Sequence, residues 1–364
     1  MLALRAQNAS SGLKLETIAI PDVGPQDVLI RVAAAGITPG VVKLLRMGQA
    51  HVPTTVGHEA AGTVAALGNE VPVLSVGTRV RMHATLSCRK CHECTNGRDQ
   101  MCPEAALIGF AKFGETSPLY RQYHDGGLAE YVRVPYWAVD PLPDHVSFEV
   151  GAKIHDIATA LRVLKLADIQ KDATIVVTSA TGTMGTLTLR LAKMFSIKKI
   201  ILVGRSEERL EKVRRLTSIE TVVCPLPPLE EARSPTGPHL LAQKLRSLAS
   251  EGIRAIIDYL PTGNHHAQIL PALCTGGTFV HIGGNVMPLA IPMVVIMQRC
   301  WRIVGSRSHE REDTDQVLKW LAERRIEVED LITHRFSLPE VDRAIEILES
   351  RSQPVWMSVI EVVK

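Results

Sequence analysis

The chain has 364 residues, 46% of them hydrophobic and 22% charged, with a formal net charge of +3. That length can fill two domains with their own cores. The charge is too small, and Lys and Arg too evenly mixed with Asp and Glu, for a nucleic-acid surface, and no apolar run approaches a membrane span.

Met1 to Pro21 lacks the charged-then-apolar pattern of a signal peptide. A reducing cytoplasmic location is therefore expected, and the Asn8-Ala9-Ser10 sequon should escape glycosylation. From Leu13 to about Val139 short apolar runs are broken by Gly and Pro. Val28 to Ala33, Gly62 to Ala66, Arg79 to Met82 and Glu130 to Val134 read as strands of a β-rich, barrel-like domain. The same stretch holds Cys88, Cys91, Cys94 and Cys102, a C-x2-C-x2-C-x7-C cluster. Thiolates returning at such short spacings can wrap one tetrahedral Zn²⁺. A disulfide reading has to explain the crowding of all four into one segment, and a reading as unrelated buried thiols has to explain the Gly, Lys and Arg around them. One structural zinc per chain is expected, closed by its own sulfurs. Cys224, Cys274 and Cys300 read as buried small hydrophobes.

After about Lys171 strands and helices alternate. Thr174 to Thr178 is a β-branched run followed by a Gly-bearing turn and by Leu187, Leu191 and Met194 at helical spacing. Lys199 to Val203, Thr221 to Cys224, Ala255 to Tyr259 and Thr278 to Ile282 read as further buried strands of a parallel sheet, and Pro225 to Pro238 as a long loop. Ala180-Thr181-Gly182-Thr183-Met184-Gly185 lies between a strand and a helix, where a dinucleotide fingerprint must sit. Gly182 lets the backbone approach a pyrophosphate, and Gly185 lets helix and strand pack closely. The next strand ends in Val203-Gly204-Arg205-Ser206, with no acid for a ribose 2′-hydroxyl. A guanidinium beside a hydroxyl favours a 2′-phosphate and hence NADPH, unless Arg205 is only a solvated loop residue.

Together these motifs resemble the medium-chain dehydrogenase/reductase superfamily, in particular its zinc alcohol dehydrogenase branch. The resemblance runs through Ala34-Ala35-Gly36-Ile37, Gly57-His58-Glu59-Ala60-Ala61-Gly62, the cysteine lobe and Asp125-Gly126-Gly127-Leu128-Ala129-Glu130-Tyr131. It continues through Gly276-Gly277, Gly283-Gly284 and Leu338-Pro339-Glu340-Val341. It implies an α/β architecture: a GroES-like β-barrel catalytic domain from residues 1–156 and 304–364, and a Rossmann doubly wound cofactor domain over 157–303. Thr159, Gly283 and Gly284 would join the fingerprint residues at the cofactor.

Family members that act on alcohols usually hold a second, catalytic zinc. Its ligand positions fall here on Thr38, His58 and His155, of which only His58 matches. The family's relay hydroxyl and the carboxylate that orients the His ligand are replaced by Thr38-Pro39-Gly40-Val41. A threonine hydroxyl is a poor substitute for thiolate, so a tight catalytic zinc is not expected. The preferred expectation is an NADPH-dependent reductase of an activated C=C or an iminium. His155, oriented by Asp156, would be the proton donor and Thr38 a hydrogen-bonding group, with Tyr120, Tyr123 and His124 near the entrance. One alternative is a zinc-dependent alcohol dehydrogenase or carbonyl reductase using His58, Glu59 and His155; another is a non-redox protein that only binds NADPH. For His58 the plain alternative is a hydrogen-bonded core residue, and for His155 a polar lining residue. The apolar segment Val286 to Ile296 is expected to pair with a second copy in a homodimer, core burial being the competing explanation.

Overall fold

The computed structural model describes residues 1–8, 12–46, 52–113, 117–227 and 240–362. Ala9 and Ser10 of the sequon, and the expected Pro-rich loop from residue 228 onward, lie outside them. The chain divides into two compact units, Met1–Ala158 with His309–Lys364, and Thr159–Ser308.

The first unit is built on the strand Asp27–Gly36. Val28, Ile30 and Val32 are fully buried while Arg31 between them is exposed, the period-two alternation of a pleated strand. This strand pairs antiparallel with Ala60–Leu67, Tyr131–Pro135 and Met357–Glu361 in a seven-stranded sheet. Small residues permit close approach at its far end. A Cβ on Gly36 would lie 2.1 Å from the Glu59 carboxylate, so the glycine is there because Glu59 is. A neighbouring glycine, Gly62, faces backbone: a Cβ there would meet the Arg31 carbonyl oxygen at 2.0 Å.

A second, smaller sheet in this unit orders Leu13–Thr17, Leu2–Ala6 and Thr54–Thr55. Of the expected entrance residues, Tyr120 and Tyr123 belong to the interior instead, while His124 is half-buried. Tyr120 and Tyr123 pack in the main core, and the Tyr123 hydroxyl donates to Asp27 at 2.6 Å, because a phenol buries its ring and needs one polar partner. His124 Nδ1 lies 3.1 Å from the Thr54 hydroxyl.

The second unit holds a six-stranded parallel sheet in the order Glu220–Pro225, Ile197–Gly204, Ala173–Thr178, Ile253–Asp258, Leu273–His281, Arg302–Gly305. Ile175, Val176, Val177, Ile200, Ile201 and Leu202 are fully buried, which is why these strands read as continuous apolar runs. The strand Arg302–Gly305 pairs with Leu273–His281, so residues 304–308 stay with this unit rather than passing to the first. Cys300 departs from its expected burial: it is exposed, at a turn with φ of 51° after the helix Met293–Gln298, while Cys224 is buried as expected. No described helix is long and apolar enough to cross a membrane.

Substituting Gly62→Ala should destabilise the protein by about 1–3 kcal/mol, since the added methyl meets main chain that cannot rotate away. Urea unfolding monitored by circular dichroism measures the effect, and an unchanged midpoint would contradict it.

Candidate active site and metal centre

The four clustered cysteines converge. All four sulfurs lie within 4.8 Å of one another, with Cys88 and Cys94 at 3.9 Å and Cys91 and Cys94 at 3.5 Å. Zn–S bonds of about 2.3 Å in a tetrahedron place sulfurs about 3.8 Å apart, so the donor set fits zinc. The backbone N–H groups of Cys88 and Glu104 donate to Cys102 Sγ at 3.4 and 3.3 Å, which favours the thiolate a metal requires. With four sulfurs around it, a zinc here is a brace for the loop.

The other polar cluster of the first unit is built around the helix Phe148–Leu166. Residues 151–161 are buried without a break, so each polar side chain on this stretch needs a partner. Lys153 is 1% exposed and its ammonium donates to Glu59 Oε2 at 2.6 Å. One turn on, Asp156 Oδ2 lies 2.6 Å from the same nitrogen. Asp156, expected to orient His155, is thus engaged by Lys153. His58 follows Gly57, whose φ of +104° and tight contact with the Leu128 backbone admit only glycine. The His58 ring lies against Phe110 at 4.5 Å and edge-on to His155 at 4.8 Å. His309 stands 4.8 Å beyond His155, and His83 5.7 Å beyond His309.

Arg81 sits directly across the strand pair from Asp140 and bonds it at 2.9 Å, with Arg311 on the other carboxylate oxygen. Thr38 is half-buried and precedes the helix Pro39–Arg46, its carbonyl accepting from Val41 N at 3.2 Å. The positions of the lost relay have become a helix start.

Charge in this cluster follows burial. Desolvation lowers His58 to about 4, the Asp156 carboxylate opposing and Lys153 assisting. His155 is pushed well below the ordinary histidine value, first by burial and then by His309 and His58. Both imidazoles are neutral at pH 7. Burial and the nearby Asp156 push Glu59 upward against the pull of Lys153 and Arg81; burial also works against the Lys153 ammonium, but Asp156 and Glu59 outweigh it and raise Lys153.

A catalytic zinc at His58, Glu59 and His155 fits this arrangement poorly. Imidazole and carboxylate are suitable donors, and His58 Nδ1 and Glu59 Oε1 are buried without hydrogen-bond partners. Glu59, however, is ion-paired to Lys153. Among the described residues, the cysteines form the one group of three or more His, Cys, Asp or Glu whose ligand atoms come within reach of a single ion.

In the second unit Gly182 is the N-cap of the helix Thr183–Leu191 at φ −92°, a conformation any residue adopts. A Cβ there would meet only the Ser179 carbonyl at 3.5 Å, so open space lies over the helix start. Gly185 differs, since its Cβ would fall 2.5 Å from Ala180 Cα and hold the helix off the strand. Ala180 is buried, whereas Thr181, Thr183 and Met184 are half-buried around the turn. Arg205 is exposed after Gly204, and Ser206 caps the helix Glu207–Arg214, its hydroxyl accepting from Arg209 N at 3.3 Å. Gly283 is forced by the Leu260 carbonyl, 2.5 Å from a Cβ, and Gly284 has φ of 63°. Thr159 is buried on the helix Phe148–Leu166.

Sequence reasoning passed over several groups. Lys153 was detectable, as a lysine flanked by Val150, Ala152, Ile154 and Ile157. His309 and Asp258 left no local signal. Asp258, fully buried at the end of its strand, accepts from the Thr178 hydroxyl at 2.7 Å and lies 2.7 Å from His281 Nδ1.

Profiles of two domains match the chain: the alcohol dehydrogenase GroES-like domain over residues 24–144 and the zinc-binding dehydrogenase domain over 183–323. Sorbitol dehydrogenase of Arabidopsis thaliana is 30% identical over 92% of this chain and 88% of its own length. L-idonate 5-dehydrogenase of Vitis vinifera is 28% identical over 91% and 86%, and D-xylulose reductase of Saccharomyces cerevisiae 26% identical over 92% and 90%. Among solved structures, galactitol-1-phosphate dehydrogenase of Escherichia coli superposes with a TM-score of 0.81 at 21% identity, covering 100% of both chains. The cobalt- and zinc-bound thermostable alcohol dehydrogenase of Pyrobaculum aerophilum does so at 0.81 and 23%, covering 100% of this chain and 99% of that one. The chain belongs to the zinc alcohol dehydrogenase-like branch of the medium-chain dehydrogenase/reductase superfamily, with its GroES-like and Rossmann-like parts. It is an oxidoreductase of that type.

The depressed pKa of His58 makes stability pH-dependent. Between pH 6.5 and about 4 the unfolded chain binds a proton that the folded chain refuses, so this contribution is complete above 6.5 and is lost as pH falls toward 4. It amounts to about 3 kcal/mol. In urea titrations the stability of His58→Gln relative to the parent should therefore rise by about that much from pH 7 to pH 4. A difference independent of pH would show that His58 binds its proton equally well in the folded and unfolded chain.

Proposed function

We propose that the protein interconverts a hydroxyl and a carbonyl on a small, polar, polyol-like molecule, with NADPH as the preferred cofactor and zinc at the cysteine lobe. The observation that carries the substrate class is the likeness, over more than nine-tenths of the chain, to proteins named for sorbitol, L-idonate and D-xylulose. Nothing among those relatives supports the activated C=C acceptor preferred on sequence grounds. The hydroxyl–carbonyl alternative takes its place.

When bound, the nicotinamide supplies hydride to the carbonyl carbon or takes it from the alcohol. The chain's residues have to hold the substrate oxygen and manage one proton. Neutral His58 and His155 imidazoles can each donate an N–H hydrogen bond to that oxygen without the cost of a buried extra charge. Thr38 adds a hydroxyl of either sense. On the cofactor side, the open helix start at Gly182 and the following Thr183 and Met184 suit a pyrophosphate, and exposed Arg205 beside Ser206 suits a 2′-phosphate.

A panel of sorbitol, xylitol, L-idonate, D-xylulose, simple ketones, enones and quinones, followed by nicotinamide absorbance, tests the reading. Turnover should fall on the polyol and keto-sugar side. Reduction of enones alone would restore the earlier reading, and cofactor binding without turnover would favour a non-redox protein. Arg205→Ala should raise KM for NADPH about tenfold or more and leave KM for NADH unchanged, as expected for one lost charge-assisted bond.

The homodimer remains the proposed assembly. Val286, Met293 and Met297 are 77%, 76% and 68% exposed, and the strand Arg302–Gly305 ends the parallel sheet with no described partner on its outer side. Light scattering at micromolar concentration should give twice the chain mass. A monomer would require these apolar side chains to face water unaided.

A further inference from the structure

We infer that the Lys153 ammonium is the built-in cation of the catalytic unit: held between Glu59 and Asp156, it bars a second metal ion, so the protein carries one zinc per chain, at the cysteines.

A dication held by His58, Glu59 and His155 would need the Glu59 carboxylate, and that carboxylate is already bonded to an ammonium at 2.6 Å. The same nitrogen lies 2.6 Å from Asp156. Lys153 is 1% exposed and Glu59 is fully buried, so the lysine has no solvent to retreat to if an ion enters. A metal would also have to approach a fixed positive charge in a medium that screens it weakly.

The local sequence supports the same assignment. The helix places Lys153 and Asp156 three residues apart, on one face, and turns that face toward Glu59. Gly36 leaves the space the Glu59 carboxylate fills, since any side chain there would displace it. At the position where the family's thiolate ligand would fall the chain has Thr38, a neutral hydroxyl. Together these residues exchange a removable dication for a covalently attached monocation. Lys153 is a positioning residue in this scheme, fixing Glu59 next to His58. The inference concerns metal content and holds whichever substrate the enzyme takes.

The test is zinc per chain by plasma mass spectrometry on the full-length protein, dialysed against micromolar free Zn²⁺ and then against metal-free buffer. The parent should hold one equivalent, and Cys94→Ser with Cys102→Ser should hold none. Lys153→Met, shown to be folded by circular dichroism, should take up a second equivalent that His58→Ala then removes. Lys153→Arg, which keeps the charge, should stay at one. Two equivalents in the parent would overturn the inference, even if Lys153→Met fails to fold. So would a folded Lys153→Met that remains at one, because something other than the ammonium would then exclude the ion.

Discussion

Lys153 and Glu59 meet at 2.6 Å where neither touches water, and much of the first unit is arranged around that contact. Burying a lone carboxylate or ammonium costs several kcal/mol, so each partner is tolerable only because the other is present. The pair ties the helix Phe148–Leu166 to the loop that carries His58. It also explains Gly36, at the end of the strand on which the seven-stranded sheet is built. Histidines gathered beside it, His58, His155, His309 and His83, are kept neutral mainly by burial. The site therefore offers imidazole N–H groups and lone pairs rather than imidazolium.

The two ionic centres of this unit serve different ends. Arg81, Asp140 and Arg311 form a cross-strand knot in which the two guanidinium groups take the two Asp140 oxygens, although Arg81 Nε is left without a partner. Such a knot fixes register between Arg79–Met82 and Val139–Pro141. The Lys153 cluster leaves atoms unsatisfied, His58 Nδ1 and Glu59 Oε1 among them. Buried polar atoms without partners cost stability, and each is a place where a ligand could supply the missing bond. The cysteine lobe is a closed set of sulfurs with no position for a substrate.

Retaining a family's fold while changing its site limits what likeness can carry. The relatives are named for hydroxyl and carbonyl chemistry on sugars and polyols, and they align with more than nine-tenths of the chain, which is what supports the proposed reaction class. They do not supply the means, since the residues that would hold a catalytic metal have changed to Thr38 and His155 and a lysine has entered beside them. If the second metal is barred as proposed, carbonyl polarisation would fall to hydrogen bonds from neutral donors in a desolvated site, which is a weaker device.

Strand positions, the cysteine centre and the glycine turn were legible in the residues themselves. Val28, Ile30 and Val32 alternate, Thr174 to Thr178 run unbroken, and C-x2-C-x2-C-x7-C closes on itself; each is a pattern of neighbours, fixed by local geometry. The active cluster was legible only in part. His58 and His155 stood at recognisable places, but the Lys153 partner of Asp156 and the neighbouring His309 were not foreseen. Their partners come from segments far apart in the chain, Glu59 to Lys153 and His155 to His309, and no spacing encodes such contacts. Tyr123 likewise read as a surface aromatic until the fold brought Asp27 to its hydroxyl. Local periodicity decides which elements form, because it depends on dihedral angles and neighbouring side chains. Which polar groups end up facing one another depends on how those elements pack, and here that packing put an ammonium on the carboxylate a second metal would need.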